Sequence, residues 1–242
     1  METNRLFPVI VLIALIFSSC SNDTIRVTSS DEVTFETIDI SNFNSIEIAN
    51  DINAYITFSE TSELIEIEAN SNLHQYIITR KDGDKLVVKL KNNINIRGNE
   101  TLNVHITTNQ INMFKALADA KIYLQNSLIN NNAEIIISAD GYFTGEVDIN
   151  YLKVTASADA KVDLYGFVNT LSAKLSADSK LEDYDLVVNN LKIDMAADCK
   201  AELTVTETIN IDAAADCILR YRGNAVITHQ NLRADSKIKK VN

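Results

Sequence analysis

The chain has 242 residues, 46% of them hydrophobic, enough to bury a sizeable core as one domain. Its 33 acidic and 22 basic residues leave a net charge of −11, which argues against a nucleic-acid partner, since phosphate binding needs a basic surface. The regular alternation of apolar residues along it also excludes a disordered acidic tail.

Arg5 precedes an apolar run from Leu6 to Phe17, too short to span a bilayer but suited to the core of a signal peptide. The run ends in Phe17-Ser18-Ser19-Cys20, similar to the bacterial lipobox with Phe17 where Leu is usual. On that reading residues 1–19 are removed and Cys20 carries lipid that anchors the chain to a membrane. The competing reading is an ordinary secretory signal with an incidental cysteine. Residues 20–32 are polar and read as a short tether.

Residues 33–110 alternate as strands but irregularly. Ile46, Ile48, Ile52, Ala54 and Ile56 share one face, and Asn50-Asp51 interrupts them. Strand-like runs follow at Leu64 to Ala69, Lys85 to Leu90 and Leu102 to Thr107, divided by the turn signals Asp82-Gly83-Asp84 and Asn92-Asn93. This segment reads as the atypical unit that caps a repeat array. Residues 111–242 are the array itself, continuous with it as one domain over 33–242.

The repeat is marked by a short phrase built on Ala-Asp. Its aspartates are Asp119, Asp140, Asp159, Asp178, Asp198, Asp216 and Asp235, spaced by 21, 19, 19, 20, 18 and 19 residues. Between them the pattern has period two: Leu152, Val154, Ala156, Ala158, Ala160, Val162 and Leu164 fall on one side of an extended chain. A helical solenoid is thereby excluded. Coils of about 19 residues stacked at about 4.8 Å make an all-β parallel β-helix, a β-solenoid. The inward positions flanking each Asp, Ala before it and Ala, Gly, Ser or Cys after it, predict a wedge where only small side chains fit. Asn130-Asn131-Asn132, Asn150, Asn169, Asn189-Asn190 and Asn210 predict further corners, with Asn supplying the left-handed conformation in place of Gly.

Each candidate site has two readings. The Asp column either binds Ca²⁺ or a cationic polymer, or caps corners while Lys121, Lys161, Lys180, Lys200 and Lys237, two residues on, neutralise it. Outward Tyr165 and Tyr184, in register and joined by Tyr123 and Tyr142, either stack sugars or form a cross-strand ladder. Cys199 and Cys217 occupy equivalent places in successive coils, close enough to form a disulfide or to remain stacked thiols. His74, His105 and His229 are scattered without the spacing of a metal site or catalytic triad and read as structural. No phosphate loop, nucleophile elbow or metal motif occurs, so no catalytic residue, metal or cofactor is assigned.

Several of these features together resemble one known family. They are the lipobox, Phe43-Asn-Ser-Ile-Glu-Ile48, the Ser-Ala-Asp-Ser-Lys phrase at Ser176 to Lys180, Tyr221-Arg-Gly-Asn224 and Ala234-Asp-Ser-Lys237. The family is the GIN domain, also called the putative auto-transporter adhesin head domain and common in lipoproteins of Bacteroidetes. Ala177 stands where that family usually has Gly. The resemblance covers about residues 35 to 241 and implies a right-handed β-helix in the cell envelope, with no established activity.

The expected function is a non-catalytic, lipid-anchored outer-membrane protein, facing the periplasm or the outside. It would bind a glycan or an envelope protein through the Asp-Lys and tyrosine faces. A purely structural role, with the ends of the β-helix pairing copies into an oligomer, is the second reading. A polysaccharide-processing enzyme is the third, weakened by the lack of long inserted loops; Arg220, Arg222 and Lys239 are the only basic cluster.

Overall fold

The computed structural model describes residues 24–242. The expected signal peptide and Cys20 lie outside them. Within the stretch expected as tether, β1 (Ile25–Thr28) already forms, because Ile25 and Val27 alternate and pair with a later strand. The tether is therefore shorter than the sequence pattern implied.

The chain continues through β2 (Val33–Thr37), β3 (Ser45–Ala49), β4 (Asn53–Phe58) and β5 (Leu64–Asn70), then a short 3₁₀ turn at His74–Tyr76. β6 (Ile77–Asp82), β7 (Lys85–Leu90), β8 (Ile94–Arg97) and β9 (Leu102–Thr108) complete the irregular part. The regular part runs through β10 (Met113–Leu117), β11 (Lys121–Leu124), β12 (Leu128–Ser138), β13 (Tyr142–Ser157) and β14 (Lys161–Ser176). It closes with β15 (Lys180–Ala196), β16 (Lys200–Ala214), β17 (Ile218–Arg222), β18 (Val226–Arg233) and β19 (Lys237–Lys240).

In-register parallel pairing makes this a β-solenoid with two walls. One wall runs through β7, β3, β10, β12, β13, β14, β15, β16 and β18, from the segments that precede each Asp. The other runs through β9, β4, β11, β13, β14, β15, β16, β17 and β19, from the segments that follow it. Each long strand contributes its first half to the second wall and its latter half to the first. The inward columns of Leu, Ile, Val and Phe are almost fully buried, each such side chain contributing about 1.5 to 3 kcal/mol.

The corner at Ala-Asp is built differently from the predicted wedge. Both residues take the left-handed conformation, as in Ala177 (φ 50) and Asp178 (φ 61), and both face solvent. Two successive left-handed residues interrupt the alternation, so the Ala before each Asp is not an inward residue. Only the residue after the Asp is buried, and it is the one restricted to Ala, Gly, Ser or Cys. A Cβ on Gly141 would lie 2.8 Å from the carbonyl oxygen of Ala116. From Asp119 to Asp216 each Asp backbone N–H donates to the Ala carbonyl of the next coil, as from Asp159 to Ala177 at 3.0 Å. Asn50 and Asp51 take the same conformation and join the column beneath Asp119.

The asparagines at the opposite corner do not use the left-handed region. They turn the chain with their side chains aligned in a ladder. The amides of Asn150, Asn169 and Asn189 donate in turn to Asn131, Asn150 and Asn169 at 2.9 to 3.0 Å. Stacked amides satisfy one another, so Asn serves this corner through its side chain and not, as its left-handed tolerance implied, through its backbone.

The N-terminal segment lies at one end of the stack, out of sequence order. β3 and β4 lie between the level of β7 and β9 and the level of β10 and β11. Beyond β9 and β7 the strands turn antiparallel, with β5 and β2 closing one wall and β6 the other. At the far end β18 and β19 keep open edges. Gln230 there continues the buried column of Ile193 and Ile211, and Lys240 that of Leu203 and Tyr221. Polar residues at core positions are how a terminal repeat stays soluble.

Candidate functional site

The out-of-order coil creates a concavity. Leaving β9, residues 109–112 must pass the level of β3 and β4 to reach β10, so the asparagine ladder stops at Asn131 and a groove of about 630 Å³ opens beside it. Ser45, Met113, Glu134 and Lys153, aligned by register, form one row of its lining. Glu134 and Lys153 form an ion pair at 2.9 Å, and the buried Ser45 hydroxyl has no hydrogen-bond partner. Amides surround this row. Asn130 donates to Asn112 at 2.9 Å, and Gln110 reaches Asn130 at 3.4 Å. Asn132 and Tyr151 pair across the strands above, with Tyr151 42% exposed.

Such a lining supplies several neutral donors and acceptors, one aromatic ring and one compensated ion pair. Hydroxyl-rich neutral ligands suit it better than charged ones.

The predicted Asp-Lys face is not one site. Asp140, Asp159, Asp178 and Asp198 point into solvent at the corner and make no side-chain hydrogen bond or ion pair among the described residues. They neither cap their corners through the carboxylate nor pair with the lysines. Lys161 and Lys200 instead hold Glu182 between them, at 3.2 and 3.3 Å, and Lys200 and Arg220 hold Glu202 at 3.1 and 2.8 Å. Burial raises the Glu182 carboxyl, but hydrogen bonds from Lys161 and Lys200 outweigh it and hold the group below the usual carboxylate range. Glu202 is lowered in the same way, with Arg220 and Lys200 overcoming burial. Lys180 stands between Lys161 and Lys200 in register, exposed and without an ion-pair partner among the described residues. Among the described residues no three acidic, His or Cys side chains converge to hold a metal ion.

The tyrosines also separate. A register shift between β14 and β15 takes Tyr184 away from Tyr165. Tyr165 stands opposite Glu146, and Tyr184 lies beneath the Arg222 guanidinium at 4.2 Å. Tyr123 belongs to another column, stacked on Tyr55 at 5.2 Å, which is stacked on His105 at 5.1 Å; Tyr142 meets Tyr123 edge-on at 5.8 Å. Phe35 extends the column at 6.3 Å from His105. These rings spend their faces on one another, which is the cross-strand ladder. Asn103 and His105 hydrogen-bond Glu68 and lower its carboxyl. Phe35, Tyr55 and Tyr123 could not be grouped from sequence, because β2, β4 and β11 are not stacked in chain order, and the groove beside Tyr151 opens only because β3 is inserted next to β10.

The sequence model described as "Putative auto-transporter adhesin, head GIN domain" matches residues 42–225. The chain belongs to this GIN-domain family. Solved structures similar to it include a putative adhesin from Bacteroides fragilis, 18% identical with a TM-score of 0.78, covering 88% of this chain and 99% of that one. A putative adhesin from Parabacteroides merdae is 16% identical with a TM-score of 0.73, covering 90% and 99%. A structure described as a putative lipid binding protein from Parabacteroides distasonis is 14% identical with a TM-score of 0.72, covering 90% and 100%. At these identities the likeness establishes a shared fold. No curated protein matches the chain.

In this GIN domain Cys199 and Cys217 are free, buried thiols. They continue the small inward column after Ser179, and each thiol donates to a backbone carbonyl of its own corner, Ala196 and Ala214, both at 3.2 Å. Burial pushes the Cys217 thiol up, away from reactivity. The three histidines sit in separate contacts. His74 meets Thr34 under the cap, His105 lies in the aromatic column and His229 is beside Asp212. No helix among the described residues is long and apolar enough to cross a membrane.

Proposed function

We propose that this GIN domain is a non-catalytic binding or adhesion module of the cell envelope, anchored through lipid on Cys20, and that its groove holds a neutral glycan. The observation that carries the reading is Tyr151. Its ring stacks on no other ring among the described residues, and it stands over a groove furnished with Gln110, Asn112, Asn130 and Asn132. An aromatic face beside amides of both polarities is the equipment for stacking a sugar ring and bonding its hydroxyls. The family name and the adhesin-like neighbours agree with a binding role. The absence of converging titratable groups in the groove beyond the paired Glu134 and Lys153 disfavours chemistry there.

A glycan array probed with the full chain in detergent tests the site, with Tyr151→Ala as the paired variant. A saturable signal lost in the variant is expected. A signal that survives the substitution, or none at all, overturns the assignment to the groove. Membrane fractionation, with and without Cys20→Ser, tests the anchor: wild type should remain with the membrane and the variant should not.

A further inference from the structure

The C-terminal end has a charge opposite to the rest of the molecule. Residues 218–242 contain six basic residues and one acidic residue, a balance of 6 − 1 = +5, against 16 − 32 = −16 for the remainder. On the outer face of the second wall the column Lys161, Lys180, Lys200 runs beside the column Glu182, Glu202, Arg220, and ion pairs from Lys161 to Arg220 zigzag between the two. The carboxylates then stop. Opposite Arg220 on the last strand stands Lys239, and Lys237, opposite Ile218, continues the lysine column, so both columns are cationic at this end. Lys237, Lys239 and Arg222 are exposed and have no ion-pair partner among the described residues.

Edge lysines by themselves can serve to repel other strands. Two features ask for more. Arg220 is held by Glu202, and the Arg222 guanidinium lies 4.2 Å over the Tyr184 ring, so both are oriented in advance. Cations fixed before binding lose little freedom when an anion arrives. Placing Lys239 directly opposite Arg220 is unfavourable until an anion sits between them.

We propose that Arg220, Arg222, Lys237 and Lys239 form a second binding surface, which takes an acidic polysaccharide through its carboxylates. The patch spans two strands, about 5 Å apart, and the carboxylates of Glu182 and Glu202 bound it below. A polymer with one charge per sugar meets it without crossing those carboxylates. Duplex DNA, with one charge per roughly 1.7 Å, does not. At the patch one face of the Tyr184 ring is covered by Arg222, which withholds that face from a base.

The test is binding of the full chain, in detergent, to polygalacturonate, with dextran as the neutral control. Binding that weakens with salt is expected, and Lys237→Gln with Lys239→Gln should lower affinity by roughly tenfold and flatten the salt dependence. Both side chains are exposed, so an unchanged melting temperature should accompany the loss. Tyr151→Ala should leave this binding intact, which separates it from the groove. Absence of binding, equal affinity of the double variant, or tighter binding to duplex DNA or to phosphatidylglycerol vesicles would each overturn the proposal.

Discussion

Alanine in the left-handed corners stores strain that glycine would release. At Ala158 and Ala177 φ is 54 and 50, and both side chains face solvent, so removing the methyl sacrifices no packing. A non-glycine residue in that region costs about 1 to 2 kcal/mol. Glycine returns about 0.5 to 1 kcal/mol of this through the greater freedom of its unfolded chain. Ala177→Gly should therefore stabilise by about 0.5 to 1 kcal/mol, raising Tm by a few degrees for a chain of this size. Ala158→Gly should do the same, and the pair should be close to additive unless the stacked corners couple. Urea titration with a common m-value measures the change. Ala156→Gly is the control: it lies buried within β13, where glycine should destabilise by about 1 kcal/mol. Equal destabilisation by Ala177→Gly and Ala156→Gly would refute the reasoning, since it would mean that the corner methyl packs.

Glu182→Gln should cost at most about 1 kcal/mol, because its partners Lys161 and Lys200 are partly exposed and screened by solvent. It should also blunt the loss of stability in acid. Glu182 and Glu202 have lowered folded values, so their contribution is complete above the ordinary carboxylate value and lost as pH falls through the lowered one. Asp51 has the opposite sign. Burial first, then Asp119 and Glu100, raise its carboxyl, so its cost appears as pH rises from the ordinary value through the raised one, and Asp51→Asn should increase the urea midpoint at neutral pH. Asn169→Ala removes the middle of the amide ladder and should cost about 1 to 2 kcal/mol in denaturant titrations, with Asn150 and Asn189 each losing a partner. Cys199 and Cys217 should react with a thiol reagent only at the rate of unfolding, and Cys199→Leu should destabilise by about 1 to 3 kcal/mol through overpacking, as calorimetry would register.

Much of this molecule follows from the order of residues alone. Period-two alternation and the return of Ala-Asp every 19 residues or so determine a β-solenoid, because side-chain parity and stacking between coils are local and repetitive. Asn50-Asp51 joins the corner column for the same reason. Parity could not reveal that Ala and Asp both adopt the left-handed conformation, since two successive departures leave the apolar count on either side unchanged. Nor could it reveal that Asn150, Asn169 and Asn189 act through their amides rather than their backbones. The lysine pairing is not legible in the sequence, because Lys161 and Lys200 have a choice between the Asp at the corner and Glu182 one coil away, and only three-dimensional register decides it. The groove beside Tyr151, the column through Tyr55 and His105 and the parting of Tyr165 from Tyr184 all depend on strand stacking. Strand stacking is set by which edges meet in space: β3 and β4 are inserted between later strands, and β15 slips against β14. Alternation and repeat length thus set the coil and its core, whereas contacts across coils, which join residues far apart in the chain, set which outward side chains become neighbours.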